Sequence, residues 1–246
     1  MASPISQKKE TSAITHRQKF EGHTGIVWGA IHLPGGQRII TCSEDRSLRV
    51  WNMKTGKQIR EDWRDGNSGV WCIALSPDGK KVVSGSDDGA VRLWDIDTCK
   101  VVKKWTGHIE RVDSVCWSRD GRRVLSGSWD GTARQWEVES GETITTNWKQ
   151  TAVLDEHTNL VTALAISPND HILASVSLDK TAQLWNLENG KPISSPIEHP
   201  QPVSCVSFSA GGKRLATGCR DKNAYIWDVA AILTEAGLDD PDPKVS

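Results

Sequence analysis

Residues 84–95 of this chain read SGSDDGAVRLWD, and the same pattern occurs four more times. The other copies are TCSEDRSLRVWN at 41–52, SGSWDGTARQWE at 126–137, SVSLDKTAQLWN at 175–186 and TGCRDKNAYIWD at 217–228. Each copy ends in Trp followed by Asp, Asn or Glu, and successive tryptophans lie 43, 42, 49 and 42 residues apart. A period of this size indicates one supersecondary unit repeated along the chain. Because such a unit cannot bury its apolar face alone, the copies must pack on one another.

Each copy contains three short apolar or alternating runs separated by turn residues. In the second copy these runs are VWCIALS, KVVSGS and AVRLWDI, and the turn Ser76-Pro77-Asp78-Gly79 separates the first two. A fourth and more variable run precedes each copy: RQKF, QIREDW, VVKKW, TITTNW…AVL and PISSPI. Strands this short and regular, rich in Val, Ile, Thr and Trp, predict four-stranded antiparallel blades.

The order of these motifs resembles WD-repeat β-propellers across about residues 17–229. Gly22-His23 and Gly107-His108 match the opening motif, Glu156-His157 and Glu198-His199 keep the histidine, and Gly66-Asn67 loses it. The resemblance implies an all-β ring of blades around a central channel, with interaction as the usual role. We place the five repeats at about 15–56, 57–99, 100–141, 142–190 and 191–229.

The predicted domain organisation has three parts. Residues 1–14 form a flexible N-terminal segment, 15–229 the propeller, and 230–246 a short helix with an acidic, Pro-containing tail. Residues 15–21 supply an outer strand before the first blade, and the last blade lacks one. This strap can close a five-bladed ring within one chain or join two chains, and a third alternative is an open or partial array.

Serine or threonine, histidine and aspartate recur at fixed distances from each repeat tryptophan. In the resembled family such residues form a hydrogen-bonded tetrad that stabilises the blade, and this interpretation is favoured over a catalytic triad because active sites are not usually repeated. The predicted tetrad residues are His23, Thr41, Asp45, Trp51; Ser84, Asp88, Trp94; His108, Ser126, Asp130, Trp136; His157, Ser175, Asp179, Trp185; and His199, Thr217, Asp221, Trp227. Because Asn67 replaces the histidine, the second tetrad is expected to be incomplete, and Asn67→His is expected to raise the melting temperature.

The resemblance also implies a binding face formed by three positions in each blade. These positions hold tryptophans on three consecutive blades, which has the composition of an interface hot spot. The alternative is that the tryptophans only pack on their neighbours. The predicted partner-binding residues are Trp28, Trp71, Trp129, Arg111, Asp113, Glu44, Asp87 and Arg220.

Composition argues against several classes of partner. The 246 residues contain 30 Lys and Arg against 31 Asp and Glu, so nothing indicates bulk attraction to nucleic acid or membrane. The N-terminal residues lack the apolar region of a signal peptide, and no apolar run reaches the ~18 residues of a membrane span. The six cysteines form no C-x-x-C pair, which favours reduced thiols in the core over disulfides or metal ligands. An intracellular, cytoplasmic location is expected.

The sequence contains no phosphate-binding, zinc-protease or nucleophile-elbow motif. We therefore expect no catalytic residues, no metal and no cofactor. The predicted function is a non-enzymatic scaffold that presents a Trp-rich face to a protein or peptide, with a homodimer through strap exchange as a further option. The alternatives are a lectin-like propeller that binds a small ligand and a purely self-assembling structural protein.

Overall fold

The computed structural model of the protein describes residues 18–138 and 150–237, except for the side chains of 150–152. The predicted flexible segment at 1–14, most of the longer connection before the fourth repeat and most of the acidic tail lie outside these residues. The described residues form nineteen strands and one helix.

The strands form five antiparallel sheets, which we number as blades in chain order. The first blade contains β1 (Val27–His32), β2 (Arg38–Ser43), β3 (Leu48–Asn52) and β4 (Gln58–Trp63). The second contains β5 (Val70–Leu75), β6 (Lys81–Ser86), β7 (Val91–Asp95) and β8 (Lys100–Trp105). The third contains β9 (Val112–Trp117), β10 (Arg123–Ser128), β11 (Ala133–Glu137) and β12 (Gln150–Leu154). The fourth contains β13 (Val161–Ile166), β14 (Ile172–Ser177), β15 (Thr181–Asn186) and β16 (Ile197–Glu198), and the fifth contains β17 (Val203–Phe208), β18 (Arg214–Cys219) and β19 (Ala224–Asp228).

This architecture confirms the predicted all-β fold of five repeats. Each sequence repeat is offset by one strand from a blade, because the run that precedes a copy pairs with the blade before it. For example, QIREDW forms β4, and Gln58 pairs with Trp51 of β3. Among the described residues the fifth blade has three strands, and the chain continues from β19 into the helix α1 (Val229–Glu235). Asp228 caps this helix by accepting a hydrogen bond from the Ala231 N–H.

The turn after the second strand of every blade requires a left-handed backbone conformation at the same position. The residues with this positive φ are Arg46, Gly89, Gly131, Lys180 and Lys222. Glycine adopts the conformation without strain, whereas Lys and Arg are disfavoured there. Two blades therefore have an unstrained turn and three do not.

Neighbouring blades meet mainly through their first strands, in chain order from β1 to β17. Within the described residues, β1 and β17 do not pack on each other as their neighbours do. The described array is therefore open, with one bare face on the first blade and one on the fifth.

Aromatic side chains join one blade to the next at the ends of the outer strands. The ring centroids of Trp63 and Trp94 are 6.2 Å apart, and those of Trp105 and Trp136 are 6.1 Å apart. Phe20 takes the equivalent place 5.8 Å from Trp51, although Gln18–Phe20 form no strand in this array.

All six cysteines are free. Cys42 and Cys219 are buried, as expected for small apolar side chains, and burial raises the pKa of the Cys42 thiol to about 12. Cys205 differs from the expectation: it is exposed, because no further blade covers the fifth one.

Candidate functional site

The third blade contains a complete chain of hydrogen bonds around its repeat tryptophan. The Trp136 indole N–H donates to Ser126 Oγ at 2.9 Å, and Ser126 Oγ lies 2.7 Å from His108 Nε2. His108 Nδ1 lies 2.8 Å from Asp130 Oδ2. A carboxylate can only accept, so Nδ1 carries the proton and Nε2 accepts from the serine hydroxyl.

The first and fourth blades repeat this chain with distances of 2.7–2.8 Å. The first contains Trp51, Thr41, His23 and Asp45, and the fourth contains Trp185, Ser175, His157 and Asp179. Burial opposes ionisation of Asp130, but hydrogen bonds from His108 and Thr132 outweigh it and hold the pKa of that carboxyl well below its usual range. Both nitrogens of each histidine are therefore engaged inside a blade.

The second blade replaces the missing histidine with an arginine. Asn67 is exposed, while the buried Arg92 donates to both oxygens of Asp88 at 2.9 and 2.6 Å and to Asp65 at 2.7 Å. These bonds from Arg92 outweigh desolvation and hold the pKa of Asp88 at about 2. Trp94 still donates to Ser84 at 2.8 Å. The aspartate is thus satisfied without histidine, which the sequence analysis did not foresee.

The fifth blade departs from the expected tetrad at Asp221. Trp227 donates to Thr217 at 3.0 Å, and Thr217 lies 2.8 Å from His199 Nε2. His199 Nδ1, however, donates to the Ile197 carbonyl at 3.0 Å, and Asp221 accepts from the Tyr225 hydroxyl instead. Tyr225 occupies the position that is Arg or Gln in the other blades, and its hydroxyl takes the carboxylate.

The predicted binding residues of the first three blades form a continuous row. The rings of Trp28 and Trp71 lie 4.6 Å apart, and the Arg111 guanidinium lies 3.7 Å from the centre of the Trp71 ring and 3.6 Å from that of Trp129. We call these four residues the Trp/Arg row. A guanidinium between two indoles is held by cation–π attraction as well as by contact area.

Two carboxylates fix the row in place. Trp71 donates to Asp87 at 2.9 Å, and Trp129 donates to Asp113. Asp113 also pairs with Arg111, whose Nε lies 2.6 Å from one carboxylate oxygen. The row is therefore pre-organised by bonds within the chain, and its rings need not reorder to make a contact.

The row packs on itself and still faces solvent. Trp28 is 47% exposed and Trp129 is 37% exposed, while Trp71 between them is half-buried. The backbone of Glu44 lies close to the row at Gly69. A Cβ atom placed on Gly69 would be 3.4 Å from the Glu44 carbonyl oxygen and 3.5 Å from Trp71 Nε1. Arg220 lies on the fifth blade, and in the described residues no contact joins it to the row.

The described residues bring no three potential metal ligands together. In the same part of the chain, no helix is long and apolar enough to span a bilayer.

Comparison with protein families places the repeats in register with a known model. The family model described as "WD domain, G-beta repeat" matches residues 14–52, 56–95, 99–137, 148–186 and 190–228.

Comparison with individual proteins finds relatives over about a third of the chain. Coatomer subunit beta'-2 of Arabidopsis thaliana is 34% identical over 84 residues, which are 33% of this chain and 9% of the relative. A coronin-like protein of Saccharomyces cerevisiae is 38% identical over 92 residues, 37% of this chain and 14% of the relative. The small ribosomal subunit protein RACK1 of Caenorhabditis elegans is 34% identical over 83 residues, 33% of this chain and 26% of the relative. The matched region thus spans only a small part of each relative.

Proposed function

This chain belongs to the WD-repeat family, and we propose that it is a non-enzymatic protein–protein interaction scaffold whose Trp/Arg row binds a protein or peptide partner. The observation that carries the proposal is the row itself, an aromatic surface that crosses three blades and remains open to solvent. Tryptophan and arginine are the residues most enriched at binding hot spots.

The composition of the row favours a peptide with both apolar and basic groups. The indole faces offer flat apolar area with little conformational entropy to lose. Asp87 accepts a hydrogen bond from Trp71 and places a carboxylate beside that ring, so a Lys or Arg of the partner finds opposite charge there. Charge complementarity of this kind contributes to specificity and association rate. The balanced net charge of the chain gives no comparable support for nucleic acid or membrane as the partner.

The histidine networks support a structural role for the catalytic-looking residues. His108 and His157 are buried, and both of their ring nitrogens are already bonded within the blade. A general base must reach its substrate, and the bonded nitrogens of these buried imidazoles have no free lone pair to offer. We propose that the chain has neither catalytic residues nor a cofactor.

We propose an intracellular, cytoplasmic location, which the six free thiols support. We also propose that residues 15–21 cover the free edge of β19, either in their own chain or in a second copy. The first of these residues lie outside the described range, and the unpaired edge of β19 supports the proposal.

A random-peptide display selection on the immobilised protein tests the proposed binding site. Selected peptides are expected to bind Trp28→Ala and Trp129→Ala about tenfold more weakly than the wild type. Val102→Ala, a change of an exposed residue on the outer strand β8, should retain full binding. Melting temperatures would be measured for all three variants.

Peptides that bind the two tryptophan variants as tightly as the wild type would contradict the proposal. A parallel glycan array tests the lectin-like alternative, which requires similar sites on several blades. The row positions differ from blade to blade, and we expect no glycan to bind. A selection that enriches no peptide would favour the purely structural alternative.

A further inference from the structure

Five valines hold the same position at the start of the first strand in each blade. Each pairs with the third residue of the Ser-Gly-Ser-like segment of its own blade. Val70, Val112, Val161 and Val203 are between 0% and 4% exposed, because the preceding blade covers them. Val27 is 47% exposed. The first blade therefore presents one half of an inter-blade junction without its counterpart.

At two of the four junctions, the other half is a glycine on the second strand, and the equivalent residues at the remaining two are Cys42 and Val176. A Cβ on Gly85 would lie 2.5 Å from Cγ1 of Val112 in the next blade, and one on Gly127 would lie 2.7 Å from Cγ1 of Val161. Gly218 is the equivalent residue of the fifth blade, and near it lies only the Cys205 sulfur of its own blade. The site that accepts a valine is thus formed but uncovered at this end.

Two of the four junctions also contain a hydrogen bond to the carbonyl of the inserted valine. Thr162 of the fourth blade donates to the Val203 carbonyl at 2.8 Å, and the Cys72 thiol donates to the Val112 carbonyl at 3.5 Å. The corresponding donors on the fifth blade are Ser204 and Cys205, and both are exposed. Apolar shape and polar donor are therefore both present at the free end.

We propose that a second copy of this chain docks end to end, with its first blade packed on the fifth blade of the first copy. Val27 of one copy then lies beside Gly218 of the other, and Ser204 donates to the Val27 carbonyl. Each copy carries both halves of the junction, and in the described part of one copy the two ends do not pack on each other as neighbouring blades do. Two copies that make this contact twice form a closed, two-fold symmetric assembly of ten blades.

The same docking gives Arg220 a contact. Within the chain, the backbone of Glu44 in the first blade lies next to Gly69 of the second blade. Arg220 holds the position of Glu44 in the fifth blade, and Ile26 holds the position of Gly69 in the first blade. Ile26 is exposed, so docking places the aliphatic part of Arg220 over it, next to Trp28. This contact between blade faces does not depend on the strap or on a partner at the Trp/Arg row.

Disulfide trapping tests the proposed register. Cγ1 of Val112 and the Cys72 sulfur both lie within 2.6 Å of the same point, the Cβ position of Gly85. In the docked pair, Val27→Cys should therefore bring its sulfur close to the native Cys205 of the other copy. Oxidation with diamide is expected to give a dimer band on a non-reducing gel, which Cys205→Ser abolishes. Val102→Cys, on the outer strand β8, is the matched control and should give no such band.

Two outcomes for the Val27→Cys variant would overturn the proposal. One is a disulfide from the introduced thiol to Cys205 of the same chain, which means that the array closes on itself. The other is the absence of any disulfide between these two positions.

Light scattering gives an independent measurement. The wild type is expected at twice 27.1 kDa and the Val27→Asp variant at 27.1 kDa, with Val102→Asp remaining dimeric. Val27→Asp should keep the melting temperature of the dissociated wild type, because the side chain is exposed in a single copy. Ser204→Ala should weaken the dimer about 25-fold, because it removes one hydrogen bond, worth about fivefold, from each of the two contacts. A wild type that stays at 27.1 kDa at every concentration would also overturn the proposal.

Discussion

The third and fifth blades are built from the same strand pattern but differ in how their networks are completed. In the third, Asp130 receives the His108 ring and is almost fully buried. In the fifth, Asp221 lies at the same separation of 22 residues from its histidine and yet binds Tyr225. In the described part of the chain, the third blade is covered on both faces by neighbours, and the fifth has one free face and one free strand edge.

The first blade also has a bare face but has four strands and keeps its complete tetrad, so we infer that the missing outer strand, rather than the uncovered face, releases the His–Asp bond in the fifth blade. A covered blade excludes water, so an unpaired imidazole or carboxylate there would cost the full desolvation penalty. At the free strand edge of the fifth blade, Asp221 binds the Tyr225 hydroxyl instead, and the His–Asp bond is not formed.

The largest effect is expected for Asp130→Asn. This change removes the carboxylate that accepts from His108 and Thr132 in a buried site, and it should lower the free energy of unfolding by about 2–3 kcal/mol. Urea denaturation measures the change. Asp221→Asn is the matched variant, and its unfolding curve should stay close to that of the wild type. Equal losses in the two variants would show that the difference between the two blades has no energetic consequence.

The difference in unfolding free energy between the wild type and Asp130→Asn should depend on pH. The pKa of Asp130 and that of Asp179 lie well below the usual range, and the pKa of Asp45 is about 2. Stability from a lowered carboxyl pKa is fully present above the ordinary value of ~4 and is lost as the pH falls through the folded value. The stability difference between wild type and Asp130→Asn should therefore shrink as the pH falls from about 4 toward 2. A difference that stays constant over this range would contradict the assigned charge state.

The second blade should depend on Arg92 rather than on a restored histidine. Arg92→Met leaves Asp88 and Asp65 without their shared donor and should cost about 1.5–2 kcal/mol of unfolding free energy. Because Arg92 already satisfies Asp88, Asn67→His should leave the melting temperature unchanged, contrary to the expectation from sequence. A clear rise in the melting temperature of Asn67→His would show instead that the second blade is destabilised by its missing histidine.

The smallest effect concerns the strained turns. Lys180 has a φ of 75°, at the position where the third blade has Gly131. Lys180→Gly removes the strain that a side chain causes at positive φ. Glycine also has more conformational entropy in the unfolded chain, which offsets part of this gain. The free energy of unfolding should therefore rise by about 0.5 kcal/mol. Gly131→Lys should destabilise, because its Cβ would lie 3.2 Å from the His157 carbonyl oxygen. Thermal unfolding of the two variants measures both changes.

The repeat pattern predicted the fold and the positions of the network residues, because the same separations recur in every copy. It could not predict that Tyr225 takes Asp221 or that Arg92 replaces a histidine, since these outcomes depend on which of two donors reaches a carboxylate. The chain has one tyrosine, and its place two residues before Trp227 was the only signal in the sequence. The sequence also could not show that Arg111 lies between two tryptophans, because the three residues belong to two blades and meet only where those blades pack.

The one-strand offset between repeats and blades has a consequence for how such a chain can change length. A repeat that supplies the outer strand of one sheet and three strands of the next is joined to its neighbours on both sides, as Gln58 on Trp51 illustrates. Removing or duplicating one whole repeat by unequal recombination leaves every remaining sheet with its full set of strands. The number of blades can therefore change in single steps during evolution without an intermediate that contains half a sheet.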